Sequence, residues 1–81
     1  MNTVLINITH QGQSGDYLAE IDPGVDDATV RRLCEEAVRA GEVPGLSHIV
    51  QSQAFANSVI DRFHTNPVRP RFVVRPKVPF G

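Results

Sequence analysis

Hydrophobic and polar residues alternate along the first strand-length segment of the chain. Over residues 3–9 one face of an extended chain carries the β-branched apolar residues Val4, Ile6 and Ile8, and the other carries Leu5, Asn7 and Thr9. A period of two predicts a β-strand with one buried face. A similar extended pattern returns over residues 17–21, and the intervening residues 11–16 contain two glycines. We therefore expect a β-hairpin with its turn in 11–16.

The hydrophobic spacing changes from a strand period to a helical period in the next segment. Apolar residues between Val30 and Val38 recur at intervals of three and four, which places them on one face of a helix. Asp26 is the expected N-cap, and Gly41 is the expected glycine at the helix end. The pattern predicts one amphipathic helix between these two residues.

The second half of the chain predicts two further strands. Residues 71–75 are rich in β-branched and aromatic side chains, and we predict a strand there. Residues 57–63 also read as a strand, although their apolar positions fit a helical face as well. Residues 46–56 indicate a loop with at most one helical turn. Prolines confine residues 76–81 to an extended tail, so the predicted domain covers 1–75.

The predicted order is strand, strand, helix, strand, strand, which is an α+β arrangement with the sheet packed on one helix. This order resembles the ubiquitin-like β-grasp fold, in which a hairpin packs across one helix. The resemblance covers residues 3–75 and implies a mixed sheet in which the last strand pairs with the first. A four-stranded antiparallel sheet with one helix is the alternative.

Composition and motifs predict neither catalysis nor a bound metal. A structural zinc site needs about four ligands at close spacing, and the chain has one cysteine and three separated histidines. Cys34 lies on the apolar face in the middle of the predicted helix, where a thiol packs as a small hydrophobic group. We expect no enzymatic activity, no cofactor and no metal.

Localisation follows from what the chain does not contain. No apolar run approaches the ~18–20 residues of a membrane helix. The first residues lack the basic and apolar regions of a signal peptide. A single cysteine fits a reducing compartment. We expect a soluble cytoplasmic protein with no membrane contact.

Charge is divided between the two halves of the chain. Residues 1–42 contain eight acidic residues and three arginines, a net charge of −5, whereas residues 43–81 contain five basic residues and one aspartate, a net charge of +4. The total of −1 hides this division. The basic half ends in a proline-spaced segment that supplies the candidate contact residues, namely Arg69, Arg71, Arg75, Lys77 and Phe80.

These features predict a small non-enzymatic module that binds another protein through its basic C-terminal face and tail. An acidic partner surface would complement that charge. Nucleic-acid binding is one alternative, with Phe63 and Phe72 as stacking groups. A ubiquitin-like modifier or carrier ending at Gly81 is another, although Phe80 stands where such proteins carry glycine. A third alternative is that the tail is a solvated strand edge whose charges prevent aggregation.

The division of charge also bears on self-association. The acidic half of one copy is complementary to the basic half of another. Exposed ion pairs contribute little once salt screens them. We therefore expect a monomer or a weak homodimer.

Overall fold

The described residues form four strands and one helix. The computed structural model describes residues 2–47, 54–64 and 69–77. The elements are β1 (Asn2–His10), β2 (Gln13–Ile21), α1 (Asp27–Arg39), β3 (Val59–Phe63) and β4 (Arg71–Arg75). The predicted α+β class and element order are confirmed, and the helical alternative for 57–63 is wrong. The possible helical turn in 46–56 falls partly outside the described residues, and so does the tail beyond Lys77.

The four strands form one mixed sheet in the order β2-β1-β4-β3. β1 pairs antiparallel with β2, and β4 pairs antiparallel with β3. The two central strands, β1 and β4, are parallel, with Leu5 opposite Arg71 and Ile8 opposite Val74. Parallel neighbours need a crossover connection, which here contains α1. The alternative of an all-antiparallel sheet is therefore wrong.

The hairpin turn is shorter than the sequence predicted. Only Gln11 and Gly12 separate the strands, and both have positive φ angles, 51° and 78°. This two-residue turn matches the right-handed twist of the strands it joins. β2 therefore begins at Gln13 and includes residues that composition had assigned to the turn. Gly15 pairs with Ile8 in this strand, and a Cβ at Gly15 would clash with the Pro44 carbonyl oxygen, so no side chain fits there.

The predicted helix boundaries agree with the capping contacts. The Asp26 carboxylate accepts a hydrogen bond from the Thr29 N–H at 2.9 Å, and this bond lowers the pKa of Asp26. Ala40 is the C-cap, and Gly41 follows it with a φ of 75°. Gly41 thus adopts the left-handed conformation that ends many helices.

The core lies between α1 and one face of the sheet. The helix contributes four buried residues, and β1 and β4 contribute the alternating residues that face it. Phe55, in the segment before β3, closes one side of this core and is 1% exposed. The main core side chains are Val4, Ile6, Ile8, Val30, Cys34, Val38, Phe55, Phe72 and Val74. The described residues place no second layer on the opposite face of the sheet.

Val30→Asp should unfold the protein. Val30 is fully buried, and an unpaired carboxylate there would cost several kcal/mol, comparable with the total of about 5–15 kcal/mol that stabilises a small domain. The matched control is Ala28→Asp, which adds the same charge at an exposed position in the first helical turn. Thermal unfolding followed by circular dichroism checks both variants. A cooperative transition for Val30→Asp near the wild-type midpoint would contradict the helix orientation.

Candidate functional site

The uncovered face of the sheet carries a row of four adjacent residues, one from each strand. Leu18 lies opposite Leu5, Leu5 opposite Arg71, and Arg71 opposite Phe63. Directly paired residues point to the same side of a sheet, so these four form a continuous open-face row. Leu18 is 53% exposed and Phe63 is 44% exposed. The row thus places two exposed hydrophobic groups on one face of the sheet, with Leu5 and Arg71 between them.

The basic residues predicted as contacts lie within β4 and on either side of it, and they do not form one patch. Arg71 stacks its guanidinium 5.4 Å from the centre of the Phe63 ring. Arg75 donates to the Asp61 carboxylate at 2.8 Å, so that ion pair offsets its charge. Arg69 precedes β4 and Lys77 follows it, about 26 Å apart for an extended chain. Phe80 lies outside the described residues.

Asp61 and Arg62 point to opposite faces of the sheet, as their place in a strand predicts. Arg62 lies on the helix side, with its guanidinium 4.7 Å from the centre of the Phe72 ring. It donates to the Pro23 carbonyl at 3.0 Å and to the Asp27 carboxylate at 2.6 Å. These contacts, which include an ion pair, connect β3 to the start of α1.

Two adjoining grooves lie at the end of the sheet where β4 finishes. The larger, about 450 Å³, separates the hairpin turn from the segment before β3. The smaller, about 350 Å³, lies between α1 and the outer edge of β3. Asn57, Ser58 and Lys77 line both grooves. Among the predicted contact residues, Lys77 thus belongs to a concave site.

Arg31 connects α1 to the smaller groove. Its Nε and Nη2 atoms both donate to the Ser58 carbonyl, at 3.1 and 3.0 Å. The sequence analysis did not identify Arg31 as a groove residue. The apolar helical period fixes which side of α1 faces the sheet, but it carries no signal for a contact with a carbonyl 27 residues away.

The described part of the chain contains no group of three or more acidic, histidine or cysteine side chains placed to hold a metal ion. Cys34 is fully buried, and burial raises the pKa of its thiol to about 12. Burial, followed by a hydrogen bond to Glu42, also raises the pKa of Tyr17. Neither group is poised as a nucleophile at neutral pH, because both remain protonated.

Comparison with known proteins does not assign this chain to a family. No family model, curated protein or solved structure matches it. No helix within the described ranges is long and apolar enough to cross a membrane.

Cys34 should resist thiol-specific reagents in the native protein and react fully in denaturant. Its side chain is inaccessible, and the protonated thiol is a poor nucleophile. The folded state retains this proton to about pH 12, whereas the ordinary value is 9.0. The contribution of Cys34 to stability is therefore complete below pH 9 and is lost as the pH rises towards 12. Rapid labelling of the native protein at neutral pH would contradict the core position.

Proposed function

We propose that this protein is a small non-enzymatic module that binds another protein. Its contact surface consists of the open-face row and the basic C-terminal segment that includes Lys77. The observation that carries this proposal is the exposure of Leu18 and Phe63 on the same uncovered sheet face. The described residues offer no partner layer for that face, and a protein partner would supply one.

The open-face row would provide the apolar part of the interface. Completing the burial of a half-exposed Leu or Phe side chain contributes about 1–2 kcal/mol, at about 25 cal/mol for each Å² of apolar surface. Phe63 also holds the Arg71 guanidinium in a stacked position, which limits the freedom that this long side chain would lose on binding.

Charge would provide orientation and partner selection. Arg71 lies within the row, and Lys77 extends beyond the end of β4 with no ion pair among the described residues. Arg71 is an exposed cation beside the apolar side chains of the row, and Lys77 adds a second exposed cation beyond the end of β4; both favour an acidic partner surface. Asp61 weighs against nucleic acid, because its carboxylate lies on the same face as Arg71 and Arg75.

The fold itself supports a second candidate, a ubiquitin-like modifier or carrier with a β-grasp fold. The parallel pairing of β1 with β4 and the strand order β2-β1-β4-β3 are compatible with that fold. The C-terminal segment continues directly from β4, so a tail could be presented to an activating enzyme. Phe80 beside Gly81 opposes this candidate. A cytoplasmic location is part of both proposals, supported by the single buried cysteine.

The proposal is tested by capture from an extract of the native cells with the tagged protein. Three variants accompany the full chain: a truncation after Arg75, the double variant Leu18→Ser/Phe63→Ser, and Arg32→Ser as a control on the exposed side of α1. We expect the full chain and the control to retain one protein partner. The double variant should retain at least about tenfold less, because it loses the apolar contacts.

The remaining outcomes separate the alternatives. Equal capture by all variants, or capture by none, would contradict the proposed surface. Loss of capture after nuclease treatment would identify nucleic acid as the ligand. An ATP-dependent product that survives boiling in detergent, and that requires the residues after Arg75, would favour the modifier.

A further inference from the structure

The two outer edges of the sheet differ in accessibility. A segment after α1 lies against the start of β2, since Ser47 donates its N–H to the Gln13 side chain at 3.0 Å. A Cβ at Gly45 would lie 2.5 Å from the Ser14 carbonyl oxygen, which shows how closely this segment follows the β2 edge. The rest of the β2 edge carries the acidic Asp16 and Glu20. β3 forms the other edge, and it borders the 350 Å³ groove.

The hydrogen-bonding pattern identifies which backbone groups of β3 face outwards along this edge, where Ile60 lines the groove. The Leu5 N–H donates to the Pro70 carbonyl at 3.1 Å, so Pro70 and Phe72 direct their backbone groups towards β1. Arg71, Val73 and Arg75 alternate with them and face β3. The residues of β3 that pair with them therefore direct their backbone groups inwards, towards β4; these are Val59, Asp61 and Phe63. The residues between them direct their backbone groups outwards, away from the sheet.

The outward-facing backbone groups on β3 belong to Ile60 and Arg62. Ser58, two residues before Ile60, also directs its carbonyl outwards, and this carbonyl accepts two hydrogen bonds from the Arg31 side chain. No described residue hydrogen-bonds to the outer backbone groups of Ile60 and Arg62. These groups form a short template on which an extended chain can add as a further strand.

The charge around this template is positive. Arg31 uses Nε and Nη2 on Ser58, and its Nη1 has no hydrogen bond to another described residue. Lys77 lines the same groove and is exposed. Asp27 also lines it, but the Arg62 guanidinium at 2.6 Å offsets that carboxylate. Two uncompensated cations beside an open strand edge match carboxylate side chains on an extended peptide.

We propose that the groove between α1 and the β3 edge binds an extended acidic segment of a partner protein by strand addition. The partner's backbone pairs with Ile60 and Arg62, and its carboxylates contact Arg31 and Lys77. This inference rests on the proposed function as a protein-binding module and names a second contact on the opposite side of the sheet from the open-face row.

The test is a titration of the isotopically labelled full chain with a short synthetic peptide of alternating valine and glutamate, followed by amide NMR shifts. We expect the largest shifts at Ile60 and Arg62, and small shifts at Leu18 and Glu20 on the β2 edge. A peptide of alternating valine and lysine is the charge control and should not bind. Binding of both peptides with equal affinity would overturn the charge argument.

Two matched pairs of variants make the test specific. Lys77→Glu should weaken binding of the acidic peptide by about three- to tenfold, whereas Arg71→Glu, the same charge change on the open face, should alter it by less than about twofold. Two further peptides test the backbone pairing: one is N-methylated at its valine amides and the other at its glutamate amides. One of these peptides should lose binding, and the other should bind as the unmethylated peptide does. Strand addition uses every second amide, which gives this asymmetry.

The failure of this inference is distinct from the failure of the proposed function. Absence of peptide binding, equal effects of the two methylation patterns, or shifts centred on Leu18 and Phe63 would overturn the groove as the site. The capture experiment with the Leu18→Ser/Phe63→Ser variant would still decide whether the open-face row binds a protein.

Discussion

The parallel pairing of β1 and β4 is the constraint on which the rest of the structure depends. Parallel neighbours cannot be joined by a hairpin, so the chain between them must cross over the sheet, and α1 lies in that connection. Helix α1 then covers one face of the central pair, which is where the alternating apolar residues of both strands point. The helix does not cover the opposite face of the sheet, and the outer strands β2 and β3 are held by antiparallel pairing with β1 and β4.

This arrangement gives the two faces of the sheet different environments. The helix side contains the buried hydrophobic residues, and Arg62 fastens the outer strand β3 to the start of α1 through Pro23 and Asp27. The uncovered side carries Leu18 and Phe63 at the two ends of one cross-strand row. In a domain this small, one helix covers only one sheet face, so the apolar side chains of Leu18 and Phe63 on the other face stay partly exposed.

Periodic patterns predicted most of the fold. The period-two run in β1, the helical run from Val30 to Val38 and the capping residues Asp26 and Gly41 are local signals, and the structure agrees with each. The start of β2 was misjudged because Gln13, Ser14 and Gly15 resemble turn residues in composition. They lie in a strand because Gln11 and Gly12 complete the turn, so that pairing with β1 begins at Gln13.

The candidate surfaces were less predictable because they depend on long-range pairing. Charge identified Arg71, Arg75 and Lys77 as candidates, but the sequence did not show that Asp61 pairs with Arg75. Nor did it show that Arg31 reaches Ser58. The open-face row combines residues from four strands, so it exists only once the strand order and register are known. No local pattern contains that information.

The most direct test of this account is NMR measurement of the contacts between β1 and β4. A parallel pairing predicts nuclear Overhauser effects from the Leu5 amide to the strand segment around Arg71, with the contacts advancing in the same direction along both strands to Ile8 and Val74. Contacts that run in opposite directions would establish an antiparallel pair. That result would change the strand register, so the four residues of the open-face row would no longer be adjacent. It would also contradict the assignment of the outward-facing groups on β3.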